Sequence, residues 1–287
     1  MALSSVASIS LVNVEKIPLS FCCSGGIAMA INFIECPLSC TICPWEANLD
    51  HKSSQVLNIG LHDIIELVNK YNPDLVMLHG GEPYKKSEVN ELVKELNNLH
   101  TLHIGMKING IFLKDEKIRI NQISEYVDIV LIELIDYHSN IVDHEELSSF
   151  LSSLIREGKH IEIVFVITSN RYPINMFITS MKDLLITQKI PLNILFASNG
   201  FSVNEKLSIV DKYRNENIIV QAPLESVAEL ASTFCISCRN PIIVRQGGYM
   251  LRLNIKSDKT CKYCGYKYNV FKFPKRVASI PLTIQLM

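Results

Sequence analysis

The chain has 287 residues, of which 48% are hydrophobic, and its formal net charge at pH 7 is −1. This length allows one large α/β domain with a small appendix. The near-neutral charge excludes a broad attraction to nucleic acid or to an anionic membrane, although it leaves a local basic patch open. The first twenty residues lack the basic start and apolar run of a secretory signal, and no segment approaches the roughly 20 apolar residues of a transmembrane helix. We therefore expect a cytoplasmic protein without membrane partners.

From residue 30 to about residue 220, short apolar runs alternate with helical patterns. The predicted strands are 30–36, 74–83 (which ends in a glycine turn), 101–110, 129–135, 160–169, 190–198 and 217–221, and the predicted helices are 61–71, 87–99, 143–158, 176–189 and 204–214. Asp143 is a plausible N-cap and Gly158 a C-terminal stop. Apolar strands that alternate with helices predict a parallel sheet covered by helices. About six such units favour an α/β fold of the partial (β/α)6-type TIM barrel, with its site at the carboxyl ends of the strands.

After residue 226 the composition changes, because short strands and turns with four cysteines replace the helical pattern. A unit of about 45 residues is too small to build a strong core without a metal or a crosslink. We therefore predict a barrel domain at 1–226, a metal ribbon at 227–274 and a tail at 275–287.

Three cysteines follow the first predicted strand with the spacing C-x3-C-x2-C, namely Cys36, Cys40 and Cys43. Buried free cysteines are one reading of such residues. The metal reading is favoured because clustered cysteines in a reducing compartment are more often metal ligands than disulfides. Neighbouring prolines also indicate an irregular loop, on which three thiolates can meet one inorganic centre.

The order of two motifs resembles the radical S-adenosylmethionine (radical SAM) superfamily. The C-x3-C-x2-C motif is followed by a strand that runs into GGEP, which comprises Gly80, Gly81, Glu82 and Pro83. The resemblance implies that the three cysteines hold a [4Fe–4S] cluster and that S-adenosylmethionine chelates its fourth iron. It also implies that the GGEP turn lies along the methionine amino group, since glycines let main chain approach a ligand closely. Asn109, in KING, matches an Asn-Gly of many members and is a candidate cofactor contact, with a tight turn as the alternative.

Other polar residues on the strands have no assigned role at this point, and no catalytic residue is named. His79, Glu133 and Asn193 are candidates to project into the barrel on the substrate side, although a structural role is favoured for His79. Glu133 interrupts an apolar strand, where a charge is costly unless it is paired. Cys22 and Cys23 are predicted to be buried structural thiols.

The C-terminal cysteines form two C-x2-C knuckles, Cys235 with Cys238 and Cys261 with Cys264. Their spacing predicts a tetrahedral thiolate cage of the zinc-ribbon or rubredoxin type. Zn²⁺ is the first choice, and a second iron–sulfur centre is the alternative. Gly265 suits the knuckle turn, and zinc would hold the small unit folded.

This segment resembles the C-terminal knuckles of the pyruvate formate-lyase activating enzyme-like proteins of the AmmeMemoRadiSam system. The shared features are both knuckles, the glycine turn after Arg245, and the CxYCG ending. Two features depart from that family: Ile42 stands where an aromatic residue is usual, and LIELID (131–136) stands where Asp-x-Lys is usual.

The resemblance implies an enzyme that cleaves S-adenosylmethionine to a 5′-deoxyadenosyl radical, which abstracts hydrogen from an unidentified substrate. A partner protein, as for an activase, is one candidate substrate, and a ferredoxin- or flavodoxin-type protein is the implied reductant. Two alternatives stay open. One is a metal-binding or electron-transfer scaffold without this cleavage, and the other is an RNA-modifying enzyme that uses its basic C-terminal residues, for which a solvated tail is the simpler reading.

Overall fold

The computed structural model describes most of the chain. The described residues are 2–34, 36, 38, 56–100, 102–113, 125–136, 142–168, 172–197, 200–269, 271–278 and 282–287. Cys40, Ile42 and Cys43 of the first cysteine motif lie outside the described residues. Within these ranges, no helix combines the length and the apolar character that crossing a membrane requires.

A mixed, largely parallel sheet forms the centre of the protein. The strands are β1 Ala2–Asn13, β2 Ile27–Phe33, β3 Leu57–Gly60, β4 Leu75–His79, β5 His103–Asn109, β6 Ile129–Ile135, β7 His160–Ile167, β8 Leu192–Phe196, β9 Val220–Gln221, β10 Thr233–Phe234, β11 Pro241–Gln246, β12 Tyr249–Leu253 and β13 Thr283–Gln285. The order in the sheet is β13-β1-β2-β4-β5-β6-β7-β8-β9, with β3 paired to β1. Neighbours from β2 to β9 in this order are parallel, whereas β1 is antiparallel to its partners.

Helices follow the parallel strands along the chain. They are α1 Leu61–Tyr71, α2 Ser87–Asn97, α3 His144–Arg156, α4 Tyr172–Thr187, α5 Val203–Asn215 and α6 Ala228–Ala231. The predicted N-cap of α3 is confirmed, because the Asp143 carboxylate accepts from the N–H groups of Glu145 and Glu146. Gly158 follows α3 with a φ of +75°, which suits the predicted stop.

The sheet separates two apolar cores, since successive side chains of a strand point to opposite faces. Alternate residues such as Ile104, Met106 and Ile108 join the helices in an outer core. The inner face carries a smaller core, in which Leu19, Cys22 and Cys23 cover residues of the parallel strands. The 17–24 segment therefore acts as a plug on the inner face.

The alternation of strands and helices between residues 27 and 221 confirms the predicted α/β architecture. The partial barrel stays a prediction, because the strand order is an open path among the described residues. Strand β1 was not predicted, since serines and a register shift between Val6 and Ser8 interrupt its alternation. The segment 275–287, predicted as a tail, contributes β13, which pairs with β1.

The C-terminal segment forms a small antiparallel sheet in the order β10-β11-β12. Its core is shared with the N-terminal plug, because Phe21 stacks on Tyr268 at a centroid distance of 5.3 Å and packs edge-on against Phe271. Arg245 is fully buried in the same region and donates to the carbonyl of Ser20 at 2.7 Å. The ribbon and the plug therefore pack as one unit, and the domain boundaries at 226 and 274 stay predictions.

Candidate functional site

The GGEP turn lies against the chain that leads into the first cysteine motif. Gly80 and Gly81 follow β4 with φ values of +71° and +44°. A Cβ atom would lie 2.7 Å from the carbonyl oxygen of Phe33 at Gly80, and 2.4 Å from that of Ile34 at Gly81. Both the backbone conformation and the space therefore require glycine. The turn and the segment just before Cys36 form one corner of the fold.

Glu82 connects this turn to the end of β5. Its side chain is 1% exposed and accepts a hydrogen bond from the N–H of Asn109 at 3.3 Å. Burial raises the pKa of Glu82 to about 7, although the nearby Lys107 ammonium acts in the opposite direction. The carboxyl group thus joins the ends of two neighbouring parallel strands.

Lys107 lies between two buried carboxyl groups. Its Nζ atom is 3.0 Å from Oε1 of Glu133 and 4.0 Å from Oε1 of Glu82. Burial lowers the pKa of Lys107, but Glu133 and Glu82 outweigh it and raise the pKa above its ordinary value. The half-buried thiol of Cys36 acts in the same direction. The lysine is therefore a buried cation near the carboxyl ends of β5 and β6, within electrostatic reach of the first cysteine of the motif.

Two further residues of the sequence analysis lie in this corner. Burial, followed by the charge of Lys107, lowers the pKa of His79 to about 3, so the imidazole is neutral. The side-chain oxygen of Asn109 accepts from the N–H of Ile111 at 3.1 Å. That bond is the tight-turn role that the sequence left open, and a cofactor contact by Asn109 stays a prediction.

The four C-terminal cysteines come together as their spacing predicts. Their sulfur atoms all lie within 4.8 Å of one another. Cys235 and Cys264 have their sulfurs 3.7 Å apart, and Cys238 and Cys261 have theirs 3.8 Å apart. An ion bound tetrahedrally with metal–sulfur bonds of about 2.3 Å would place its sulfurs about 3.8 Å apart. The donor set therefore fits a single tetrahedral metal ion.

Each of the two knuckles contains a backbone turn of the same kind. Gly265, the predicted turn residue, has a φ of +77°, and its N–H donates to the carbonyl of Cys261. Arg239 occupies the equivalent place in the first knuckle with a φ of +61°, and its N–H donates to the carbonyl of Cys235. The sequence gives no glycine signal there. The Arg239 side chain donates to Asn217, which anchors this knuckle to the end of α5.

The surroundings of Cys238 favour the thiolate form of its side chain. Burial raises its pKa, but hydrogen bonds from the main chain and side chain of Asn240 lower it to about 6. The side-chain amide of Asn240 lies 3.5 Å from the sulfur. A thiolate is the form that binds metal.

A second buried polar cluster lies near the amino ends of β7 and β8. The Glu162 carboxylate accepts from the N–H groups of Ser20 and Phe21 at 2.6 and 2.9 Å, and from Asn193 at 2.8 Å. His160 lies 2.8 Å from the same carboxylate. Although burial raises the pKa of Glu162, these partners lower it below its ordinary value. Asn193, a candidate for the substrate side, therefore has a structural role in holding the plug.

The predicted burial of Cys22 and Cys23 is confirmed. Both are 0% exposed, and their sulfurs lie 3.1 Å apart. Burial raises the pKa of Cys22, followed by the effect of Cys23, so the thiol is protonated at neutral pH. The pair forms part of the inner core.

Comparison with known proteins gives limited similarities. No family model matches the chain. A curated relative, 7,8-dihydro-6-hydroxymethylpterin dimethyltransferase of Methanocaldococcus jannaschii, is 32% identical over 85 residues, which are 28% of this chain and 16% of that protein. This similarity is in line with the radical SAM superfamily in general and does not single out the AmmeMemoRadiSam type.

Among solved structures, archaeal TYW1 aligns with a TM-score of 0.38 at 15% identity, over 66% of this chain and 72% of that one. A TM-score this low does not establish a shared fold.

Proposed function

We propose that the protein is a radical SAM enzyme. Cys36, Cys40 and Cys43 would hold a [4Fe–4S] cluster, and S-adenosylmethionine would bind the iron that they leave open. The observation that carries the proposal is the packing of Gly80 and Gly81 against the chain just before Cys36. When bound, the cluster would supply the electron that cleaves S-adenosylmethionine to a 5′-deoxyadenosyl radical.

The residues of this corner have distinct roles in the proposal. The main-chain carbonyls of Gly80 and Gly81 would accept hydrogen bonds from the methionine ammonium group, and glycine allows the backbone conformation that this turn requires. Glu82 holds the turn against β5 through the N–H of Asn109. The buried cation of Lys107 would favour the anionic form of Cys36.

The radical would abstract hydrogen from a substrate that the similarities do not identify. In the activase-like form of the proposal, the substrate is a partner protein. This form rests on the knuckle motifs alone. A ferredoxin- or flavodoxin-type protein in the cytoplasm would supply the electron. This donor must have a low reduction potential, because the potentials of protein iron–sulfur clusters reach down to about −700 mV.

A second candidate function is methyl transfer to a pterin. The 32% identity to the pterin dimethyltransferase favours it, over 28% of this chain. The assay combines the reconstituted protein with reductant, S-adenosylmethionine and 7,8-dihydro-6-hydroxymethylpterin. A methylated pterin in the mass spectrum would support this function, and an unchanged pterin would count against it.

We also propose that the ribbon holds one structural Zn²⁺. The sulfur–sulfur distances of 3.7 and 3.8 Å support a tetrahedral ion. Metal analysis of the full chain, purified before any iron is added, should give about one zinc per chain. Iron with the absorption of an iron–sulfur centre would instead support the alternative centre.

Anaerobic reconstitution with iron and sulfide tests the enzyme proposal. The protein should gain a broad visible absorption and about four irons per chain. Cys36→Ala should lose both, whereas Cys22→Ala, matched in residue type but placed in the inner core, should keep them. Calorimetric titration with S-adenosylmethionine then distinguishes the enzyme proposal from the scaffold alternative. An enzyme should bind S-adenosylmethionine, whereas an electron carrier with a cluster would not.

A further inference from the structure

The charges of this chain are strongly segregated. Residues 231–287 contain ten lysines and arginines and a single acidic residue, Asp258, whereas residues 1–230 contain 18 basic and 28 acidic residues. The overall charge of −1 therefore conceals a basic ribbon on an acidic body. Such a sign asymmetry indicates an anionic partner.

We call four cations of the ribbon the basic face: Arg252, Lys256, Lys262 and Lys267. The segments that carry them lie together, because Ile255 pairs with Cys261, Thr260 pairs with Lys267, and the N–H of Lys262 donates to Asn254. All four side chains are exposed, and none forms an ion pair with another described residue. The one acidic residue, Asp258, offsets only part of the charge of the four cations: its carboxylate accepts from the hydroxyl and N–H of Thr260 and lies within electrostatic reach of Lys256. The positive potential of the face is therefore directed to solvent.

Aromatic side chains interrupt the basic face. Tyr263 lies between the cysteines of the second knuckle and is 52% exposed, which is unusual for a large ring. The ammonium group of Lys189 lies 4.8 Å from the centroid of the half-buried Tyr266 ring. An exposed ring can stack on a base, and cations nearby can bind the phosphates of the same strand.

The basic face lies far from the GGEP corner. The ribbon packs at the amino ends of the parallel strands, since the Arg239 side chain donates to Asn217, shortly before β9. The tail that follows the ribbon does the same at β4, because the N–H of Lys275 donates to Asp74, directly before that strand. Gly80 and Gly81 follow the carboxyl end of the same strand. Parallel strands of five to eight residues separate the two ends by about 17 to 26 Å at 3.3 Å per residue. A partner on the ribbon therefore binds outside the corner of Cys36.

We propose that the basic face and Tyr263 bind single-stranded nucleic acid. Lysine and arginine would neutralise phosphates, and the tyrosine ring would stack on a base. An anionic membrane fits less well, because it requires a continuous apolar face beside the cations. Among the described residues from 231 to 278, the exposed large aliphatic side chains are Leu251 and Val277, which are too few for such a face. An acidic protein would use the cations but would give no reason for the exposed ring.

Fluorescence anisotropy with the full-length protein and a labelled oligonucleotide of about 12 nucleotides tests the proposal. Binding should weaken with salt, with a slope of log K against log salt near −2.8 for four neutralised phosphates. Lys262→Gln with Lys267→Gln should reduce the magnitude of this slope by about 1.4. The matched pair Lys70→Gln with Arg156→Gln, two exposed cations on α1 and α3, should leave the slope unchanged.

The tyrosine supplies a second, independent readout. Tyr263→Leu should weaken binding about tenfold, whereas Tyr263→Phe keeps the ring and should bind as the parent does. Metal content is measured in every variant, which shows that the knuckle is intact.

Three outcomes would overturn the proposal: no anisotropy change at low salt, an equal loss in the control pair, or preferential binding of anionic vesicles or an acidic polypeptide. The assay requires no cleavage of S-adenosylmethionine, so its result is separate from that of the enzyme proposal.

Discussion

The ammonium group of Lys107 lies 3.0 Å from the carboxylate of Glu133, and both residues are 3% exposed. Glu82 approaches the same ammonium group to 4.0 Å from the neighbouring turn. One ammonium group therefore interacts with two buried carboxyl groups, and the three residues lie near the carboxyl ends of β4, β5 and β6. Its removal would leave negative charge in an apolar environment, which is strongly unfavourable.

Lys107→Met should lower the free energy of unfolding by about 3–5 kcal/mol in urea denaturation, because it breaks a buried ion pair. Lys94→Met is the matched control, since Lys94 pairs with Glu91 at 3.2 Å on the exposed surface of α2. That change should cost less than about 1 kcal/mol. Equal costs for the two variants would show that Lys107 is not a buried counterion.

The raised pKa of Glu82 makes stability depend on pH. The folded protein binds a proton on Glu82 up to about pH 7, whereas the unfolded chain releases it near 4.5. Its contribution to stability is therefore present below pH 4.5 and is lost as the pH rises to 7. Glu82→Gln should be more stable than the parent by about 3 kcal/mol at pH 8, since each pKa unit corresponds to 1.36 kcal/mol, and should match it at pH 4.

The pH prediction is checked by urea denaturation of both proteins, without cluster, across this range. A constant difference between parent and variant at every pH would contradict it.

Gly81→Ala should disrupt the corner of the first cysteine motif. The added Cβ would meet the carbonyl of Ile34 at 2.4 Å, so the chain before Cys36 must shift. Gly158→Ala is the control, because Gly158 also has a positive φ but has nothing within 4 Å of the added atom. Both variants should lose about 1 kcal/mol from backbone strain. Only Gly81→Ala should also lose iron on reconstitution, and equal iron contents would argue against the role of the turn.

Removal of the metal proposed for the ribbon should expose the buried thiols of the plug. Phe21 stacks on Tyr268, and the main chain of Cys23 bonds to Lys272, so the plug depends on the folded ribbon. After metal chelation, alkylation followed by mass spectrometry should label Cys22 and Cys23, which the parent protects. Cys238→Ser, which lacks one ligand, should show the same labelling without a chelator. Continued protection in both samples would mean that the plug holds without the metal.

Local signals in the sequence predicted the parallel strands, the helix caps and the four ribbon cysteines. Hydrophobic periodicity and residue spacing are local properties, and these elements depend on little else. The polar clusters could not be found in this way, because their members are distant in sequence. Glu162 binds Ser20 across 142 residues, and Lys107 meets Glu133 across 26. Only the packing of the sheet brings such groups together.

The most direct test of the central proposal is the formation of 5′-deoxyadenosine from S-adenosylmethionine. The reconstituted protein is incubated with a strong reductant under anaerobic conditions, and the products are separated by chromatography. The parent should form deoxyadenosine with reductant and none without it, and Cys36→Ala should form none in either case. A parent protein that carries a full cluster, binds S-adenosylmethionine and still yields no deoxyadenosine would contradict the proposal.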